Sequence, residues 1–180
     1  GVEFKCGVEV GEDITIAQLR EQGYKAFYIA IGAQGGRMTG VPGEDAVGVE
    51  TGVDFLRRVN LNEEGVKLSG KTVVIGGGNV AVDVARTALR TGSSDVSMFC
   101  LESRDIMPAA DDEVAEAEEE GIVVNNSWGP KEILTENGKV TAVVFKKCIS
   151  VLDENKRFSP KYDEEELLTV PCDQVLLSIG

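Results

Sequence analysis

A short glycine-rich segment between an apolar strand and an amphipathic helix constrains the fold of this chain more than any other feature of its sequence. The pattern predicts a strand over Lys71–Ile75 and a helix over Asn79–Arg90. In such a Gly-x-Gly-x-x-Ala segment, Gly76 permits a tight turn, Gly78 lets the backbone approach a pyrophosphate, and Ala81 lets helix and strand pack closely. The free N–H groups and positive dipole of the helix would face the phosphates. The predicted dinucleotide-binding residues are Gly76, Gly77, Gly78, Asn79, Val80 and Ala81.

The same pattern calls for an acidic residue at the end of the second strand, where it binds the adenine ribose hydroxyls. That strand is predicted over Asp95–Leu101, and Glu102 follows it. A carboxylate would repel the 2′-phosphate of NADP, so Glu102 favours NAD. Arg104 would instead meet a 2′-phosphate, which keeps NADP open. The alternatives are a solvated strand end for these two residues, and a turn that only caps the helix for Asn79 and Val80.

The elements around this segment alternate between strand and helix. An acidic helix is predicted over Asp111–Glu120 and a third strand over Ile122–Val124. Strand–helix–strand–helix–strand order implies a parallel sheet with right-handed crossovers. The fold class is therefore α/β, with a Rossmann-like parallel sheet.

The sequence pattern changes at about residues 131–170. Asn137-Gly138 is a strong hairpin signal between two apolar runs. We expect a small antiparallel β-meander here, in which the polar residues Asp153–Glu166 connect strands and Leu167–Val170 returns as the last one. A nearly all-apolar strand over Gln174–Ile179 then completes the parallel sheet.

The first part of the chain predicts two further strands and two helices. Val2–Val10 alternates as a strand does, and Ala26–Ile31 is a continuous apolar run of the kind that is buried on both faces of a sheet. Helices are predicted over Thr15–Gln22 and Thr51–Asn60. The glycine-rich segment Gln34–Gly48 between them is expected to be an exposed connector.

Composition excludes several kinds of function. The chain carries 18 basic and 31 acidic residues, a formal net charge of -13, which repels nucleic acid. A dinucleotide is still allowed, because backbone N–H groups can hold a pyrophosphate. No stretch approaches the roughly 20 apolar residues that span a bilayer, and the first residues lack a signal-peptide pattern.

The cysteines predict neither a metal site nor a dithiol redox pair. Cys6, Cys100, Cys148 and Cys172 are scattered without a Cys-x-x-Cys spacing, and the chain has no histidine. We expect reduced thiols and a cytoplasmic location. The acidic run of Asp111–Glu120 is interpreted as a solvated helix face, with docking of a partner subunit as the alternative.

Three segments together resemble a known family. The sequence from Val73 to Thr87, the segment Leu101–Ala109, and Ile31–Ala33 with Val41–Glu44 are similar to the small, or beta, subunit of glutamate synthase and related NAD(P)H-dependent flavoproteins of the pyridine nucleotide-disulfide oxidoreductase superfamily. The resemblance covers essentially the whole chain. Family members that use NADPH commonly carry paired arginines after the second strand, where this chain has Glu102-Ser103-Arg104.

This resemblance implies that the NAD(P)-binding domain is inserted into a flavin domain. Residues 1–69 would then be the rim of the FAD domain and a connector, and residues 70–180 the NAD(P)-binding Rossmann domain. Gly32 and Ala33 would lie near the interface between flavin and nicotinamide, and Gly180 would lie where the chain crosses back. Asp83 and Arg86 match the family's fingerprint helix, with a surface ion pair between them as the alternative.

The resemblance also implies the chemistry of the whole protein. Hydride would pass from NAD(P)H to FAD, and electrons would leave through iron–sulfur centres outside this region, toward a large glutamate synthase-type or other redox subunit. The cofactors carry that reaction, so no catalytic side chain is nominated. Because the flavin's glycine motif and the iron–sulfur cysteines are absent from the sequence, the chain alone is expected to be inactive. A non-catalytic nucleotide-sensing module is the alternative function.

Overall fold

The computed structural model describes residues 1–61 and 66–180. The chain forms two compact units, Gly1–Gly32 and Ala33–Gly180. None of the helices in the described residues has the length and apolar content to cross a bilayer.

The smaller unit contains one short helix, α1 (Ile16–Glu21), as predicted from its periodicity. Thr15 and Gln18 form a reciprocal capping box at its N-terminus, with the Thr15 N–H donating to Gln18 Oε1 at 2.8 Å. The two strands predicted for this unit, Val2–Val10 and Ala26–Ile31, were wrong: neither is a strand, and Tyr28 is 94% exposed. An apolar run becomes a strand only beside a partner strand, and the described residues supply none.

The larger unit begins with β1 (Val49–Thr51) and α2 (Gly52–Asn60), and its remaining elements follow the predicted order closely. They are β2 (Lys71–Ile75), α3 (Asn79–Arg90), β3 (Asp95–Phe99), a 3₁₀ helix (Arg104–Ile106), α4 (Asp111–Glu119), β4 (Val123–Asn125), β5 (Trp128–Glu136), β6 (Lys139–Leu152), β7 (Phe158–Pro171) and β8 (Gln174–Leu177). The predicted helices over Thr51–Asn60, Asn79–Arg90 and Asp111–Glu120 are confirmed within one residue.

Five strands form one parallel sheet in the order β1-β8-β2-β3-β4. Strands β3 and β4 follow one another on one side of β2, while β8 pairs with the opposite side of β2. The strand order therefore reverses between β2 and β8, and the carboxyl ends of both strands lie at the same edge. Ligands of open α/β sheets bind at such a reversal.

The β-meander β5-β6-β7 is confirmed as an antiparallel sheet, with Asn137 and Gly138 in the turn between its first two strands. The expected connector over Asp153–Glu166 is shorter than predicted, because β7 starts at Phe158. Cross-strand contacts explain the difference: Lys146 of β6 donates to Glu164 of β7 at 2.8 Å. Such opposite-charge pairs stabilise polar strands that composition alone would leave as loops.

The parallel sheet is covered by helices on one face and by the meander on the other. Residues such as Val74, Val82 and Met98 pack between the sheet and helices α2–α4. On the other face, Phe99 of β3 stacks on Phe145 of β6 with ring centroids 4.1 Å apart. Because both faces are covered, a ligand would reach the sheet at an end of its strands, and the reversal of strand order favours the carboxyl end.

The cysteines give a first testable prediction. All four are free thiols, and Cys100, Cys148 and Cys172 are buried while Cys6 is exposed. Burial raises the pKa of the Cys100 thiol to about 11 and that of Cys172 to about 12. Iodoacetamide at pH 8 should therefore modify Cys6 within minutes and the buried three only after unfolding, because the thiolate is the nucleophile. Peptide mass spectrometry with and without denaturant measures this, and rapid native labelling of Cys100 would contradict the fold.

Candidate functional site

The glycine turn lies at the carboxyl edge, where β2 meets β8. The Gly76 N–H donates to Phe99 O at 2.9 Å, and the Ser178 N–H donates to Ile75 O at 2.7 Å. These two bonds fix the turn against the strands on both of its sides. The backbone that leaves β2 is therefore held in place before α3 begins.

The three glycines of the turn differ in what requires them. Gly76 has a φ of 153°, and a Cβ on it would overlap Ser178 O and lie 3.1 Å from the Cβ of Ala81. A Cβ on Gly77 would lie 2.9 Å from the Cβ of Cys100 and 3.0 Å from Glu102 Oε2. A Cβ on Gly78 would meet no atom within 4 Å. Gly76 and Gly77 are thus required by packing, whereas Gly78 borders open space.

The open space beside Gly78 lies at the N-terminus of α3. Gly78 is the N-cap of this twelve-residue helix, and no side chain caps it. Asn79 and Val80 are exposed on the first turn, and within the described residues nothing accepts a hydrogen bond from their N–H groups. A helix start with free donors and a bare Cα beside them fits a diphosphate. The alternative in which Asn79 and Val80 only cap the helix is not supported, because no side chain caps α3 and Asn79 Oδ1 accepts from the Ala110 N–H.

The Asn79 side chain instead holds the loop that follows β3, a role that the sequence did not indicate. The Ala110 N–H donates to Asn79 Oδ1 at 2.8 Å. The neighbouring Ala109 N–H donates to Gly77 O at 3.0 Å. The start of α4 is thereby attached to the start of α3.

Glu102 lies at the other end of this loop, beside the glycine turn, as the contact of its carboxylate with the Cβ position of Gly77 shows. Asn126 and Ser127 fix its backbone: the Asn126 amide and the Ser127 N–H both donate to Glu102 O, at 3.2 and 2.9 Å. The negative charge of Glu102 adds to burial in raising the pKa of the Cys100 thiol. A carboxylate in this place can accept hydrogen bonds from ribose hydroxyls.

Arg104 lies two residues farther along the loop but is paired within the protein. Its Nη1 and Nη2 atoms lie 3.1 and 3.2 Å from the two carboxylate oxygens of Glu118 on α4. Both side chains remain partly exposed. The structure therefore brings Arg104 to the predicted loop, with its guanidinium bound to a carboxylate of the acidic helix.

The surface ion pair considered for Asp83 and Arg86 is wrong. Arg86 binds Glu116 and Glu120 of α4, with a shortest N–O distance of 2.9 Å to Glu116 and 2.6 Å to Glu120. These carboxylates hold the pKa of Arg86 above its ordinary value. Helix α4 packs on α3 and brings the carboxylates of Glu116 and Glu120 to Arg86. Most acidic side chains of α4 are exposed, as the interpretation of a solvated helix face predicts, and Glu116, Glu118 and Glu120 also pair with arginines.

The remaining predicted residues lie outside the glycine turn. Gly32 ends the smaller unit, and Ala33 begins the larger one. Ala33 lines a hollow of about 330 Å³ with Val53 and Arg57 of α2. Gly180 is exposed two residues beyond Ser178, whose carbonyl packs against Gly76.

Ser178 was not among the predicted site residues, yet it lies at the reversal of strand order. Its hydroxyl is buried and has no hydrogen-bond partner among the described residues. A Cβ on Gly52, at the start of α2, would overlap this hydroxyl. The sequence signal that marks the place is the short motif of a small residue followed by Ile179 and Gly180 after an apolar strand.

The arrangement is equipped for binding rather than for acid–base chemistry. The turn offers N–H donors to a diphosphate, and Glu102 offers an acceptor to hydroxyl groups. Within residues 1–61 and 66–180, no group of three or more His, Cys, Asp or Glu side chains is placed to hold a metal ion. These are the donors and acceptors that a diphosphate and a ribose require.

Comparisons with known proteins agree with this geometry. Residues 3–180 match the family model for pyridine nucleotide-disulphide oxidoreductases. The chain is 37% identical to the beta subunit of an NADP(+)-dependent formate dehydrogenase from Moorella thermoacetica, with all of this chain and 26% of that subunit aligned. It is 34% identical to the glutamate synthase [NADPH] small chain of Halomonas elongata, with all of this chain and 40% of that protein aligned. The chain therefore spans less than half the length of these relatives.

A solved structure shares the fold. Mycobacterium tuberculosis FprA in complex with NADPH superposes with a TM-score of 0.79 at 23% identity, over 96% of this chain and 53% of FprA. Together with the observed sheets, this similarity confirms the predicted fold class. The resemblance to glutamate synthase small subunits and related flavoproteins is confirmed by the sequence matches.

Proposed function

Because the chain belongs to the pyridine nucleotide-disulphide oxidoreductase family, we propose that it is the NAD(P)H-binding part of a flavin-dependent oxidoreductase resembling the glutamate synthase small subunit. The whole protein would pass hydride from NAD(P)H to FAD and electrons onward to iron–sulfur centres or a partner subunit. The observation that supports this most directly is the open backbone at Gly78 beside the uncapped start of α3.

In this proposal each part of the turn has a separate task. The N–H groups of Gly78, Asn79 and Val80 donate to the pyrophosphate, where the positive end of α3 adds to the attraction. Glu102 accepts hydrogen bonds from the adenine ribose. Gly76 and Ala81 hold strand and helix close enough for the turn to form. Bound nicotinamide would supply the hydride and the flavin would accept it.

The first part of the chain has a different task in the proposal. Residues 1–69 would be the rim of the FAD domain and a connector, although β1 and α2 pack into the same unit as residues 70–180. Gly32 and Ala33 would lie near the junction between flavin and nicotinamide, and Gly180 would lie where the chain crosses back. Exposed apolar side chains of the smaller unit, such as Tyr28 and Ile31, support a further domain that covers them. The free thiols favour the cytoplasm as the compartment.

The names of the relatives favour a redox function over a nucleotide-sensing module. Both relatives described above are subunits of oxidoreductases, and both align along the whole of this chain.

These two relatives are named for NADP(H). Glu102 is the local feature that would give this chain a preference for NAD, because its carboxylate repels a 2′-phosphate.

Titration calorimetry of the chain with NADH, NADPH and FAD tests the proposal. We expect one nicotinamide coenzyme to bind per chain, with NADH bound more tightly than NADPH, and FAD to bind weakly. The reason is that all the residues proposed to hold the diphosphate lie within this chain, whereas the flavin's glycine motif is absent from the sequence. Tight stoichiometric binding of FAD would overturn the domain assignment, and failure of both nicotinamide coenzymes to bind would overturn the site.

A further inference from the structure

The loop that carries Arg104 leaves the glycine turn and returns to it. It starts at Glu102, whose carboxylate lies beside Gly77, and it ends where Ala109 and Ala110 donate to Gly77 O and Asn79 Oδ1. Both ends of the loop are therefore attached to the proposed diphosphate site. Any adenine ribose bound by Glu102 would place its 2′ position near this loop.

Within this loop Arg104 is the basic side chain best placed for a 2′-phosphate, and Glu118 occupies it. The two guanidinium nitrogens face the two carboxylate oxygens at 3.1 and 3.2 Å. This parallel two-bond geometry is the one that a phosphate would also need from arginine. A 2′-phosphate and Glu118 thus compete for the same donors.

We propose that Glu118, a residue of α4 outside the dinucleotide-binding fingerprint formed by Gly76–Ala81 and Glu102, determines coenzyme specificity by keeping Arg104 from the 2′-phosphate of NADP(H). This inference rests on the proposed nicotinamide site. Glu118 acts through Arg104 and is a positioning residue that needs no contact with the coenzyme.

The exposure of the pair limits the size of the effect. The side chains of Arg104 and Glu118 are 43% and 47% exposed, so water and salt screen their attraction. Removing the carboxylate frees the guanidinium of Arg104 to bind the phosphate. We expect a gain of about tenfold in NADPH affinity, the scale of one exposed charge-assisted contact.

Glu118→Gln and Glu119→Gln form a matched pair for the experiment. Each variant removes one negative charge from α4, but Glu119 is exposed and, in the part of the chain that the structure describes, makes no ion pair with Arg104. The Kd values of NADH and NADPH are measured for both variants by titration calorimetry. Glu118→Gln should bind NADPH about tenfold more tightly with NADH affinity unchanged, whereas Glu119→Gln should change NADPH binding less than about twofold.

A third variant separates the proposed competition from a general charge effect. Arg104→Ala introduced into Glu118→Gln should abolish the gain in NADPH affinity. Equal NADH-to-NADPH ratios in Glu118→Gln and Glu119→Gln would overturn the role of Glu118, as would a gain that survives Arg104→Ala. The proposed function fails separately, if the unaltered chain binds neither coenzyme.

Discussion

Gly78→Val is expected to lower NADH affinity by at least about a hundredfold while leaving the fold intact. The isopropyl group would fill the space where the diphosphate must approach the N–H groups of Asn79 and Val80. Losing two charge-assisted hydrogen bonds of about 1.5–3 kcal/mol each corresponds to a hundredfold or more in Kd. Titration calorimetry gives the affinity, and thermal unfolding monitored by circular dichroism gives the stability.

The structure explains why the fold should survive this change. The backbone at Gly78 has φ -96° and ψ 174°, an extended conformation that valine adopts readily, and no protein atom lies within 4 Å of the new Cβ. Replacing glycine at an N-cap costs about 1 kcal/mol. Ala115→Val, at an exposed position of α4 away from the turn, controls for the added bulk. Unchanged NADH affinity in Gly78→Val would exclude the turn as the diphosphate site.

The larger unit was predictable because its strands and helices are held by local and parallel contacts that leave periodic patterns. The apolar residues of Lys71–Ile75 are buried on both faces, as a continuous run predicts. Those of Asn79–Arg90 follow helical spacing, and the helix has the predicted bounds. Asn137-Gly138 fixed the hairpin of the meander because positive φ values at both positions suit these residues.

The smaller unit was not predictable from the same patterns. Ala26–Ile31 has the composition of a buried strand, but a strand depends on hydrogen bonds to another segment. The sequence of one segment carries no information on whether its partner is present. The described residues supply no such partner, and Ile29 is 78% exposed.

The candidate site also has one part that the sequence predicted and another that it did not. The fingerprint located the turn and Glu102, because spacing along one strand–turn–helix unit is visible in the sequence. The contacts of Asn79 with Ala110 and of Arg104 with Glu118 join residues that are 31 and 14 positions apart. These contacts depend on how α4 packs against α3, which no local pattern specifies. Both of them affect the loop that would choose between the two coenzymes.

Gly76→Val should have the opposite effect to Gly78→Val and destabilise the fold itself. The φ of 153° at Gly76 is outside the range that valine tolerates, and the new side chain would overlap Ser178 O and crowd Ala81. Backbone strain and overpacking cost about 1–3 kcal/mol each, so we expect a loss of about 2–6 kcal/mol. This approaches the total stability of an ordinary domain, about 5–15 kcal/mol. Urea unfolding of both variants and of the unaltered chain measures the difference.

The two variants place the same side chain two residues apart, so their comparison separates packing from binding. Gly76→Val removes the support that β8 gives to the turn, and its coenzyme binding should fall only because folded protein is lost. Gly78→Val leaves that support in place and blocks the ligand. If Gly76→Val unfolded at the same urea concentration as the unaltered chain, the close contact between the turn and Ser178 would be wrong. The reversal of strand order between β2 and β8 could then no longer be a reason to expect a diphosphate at this edge.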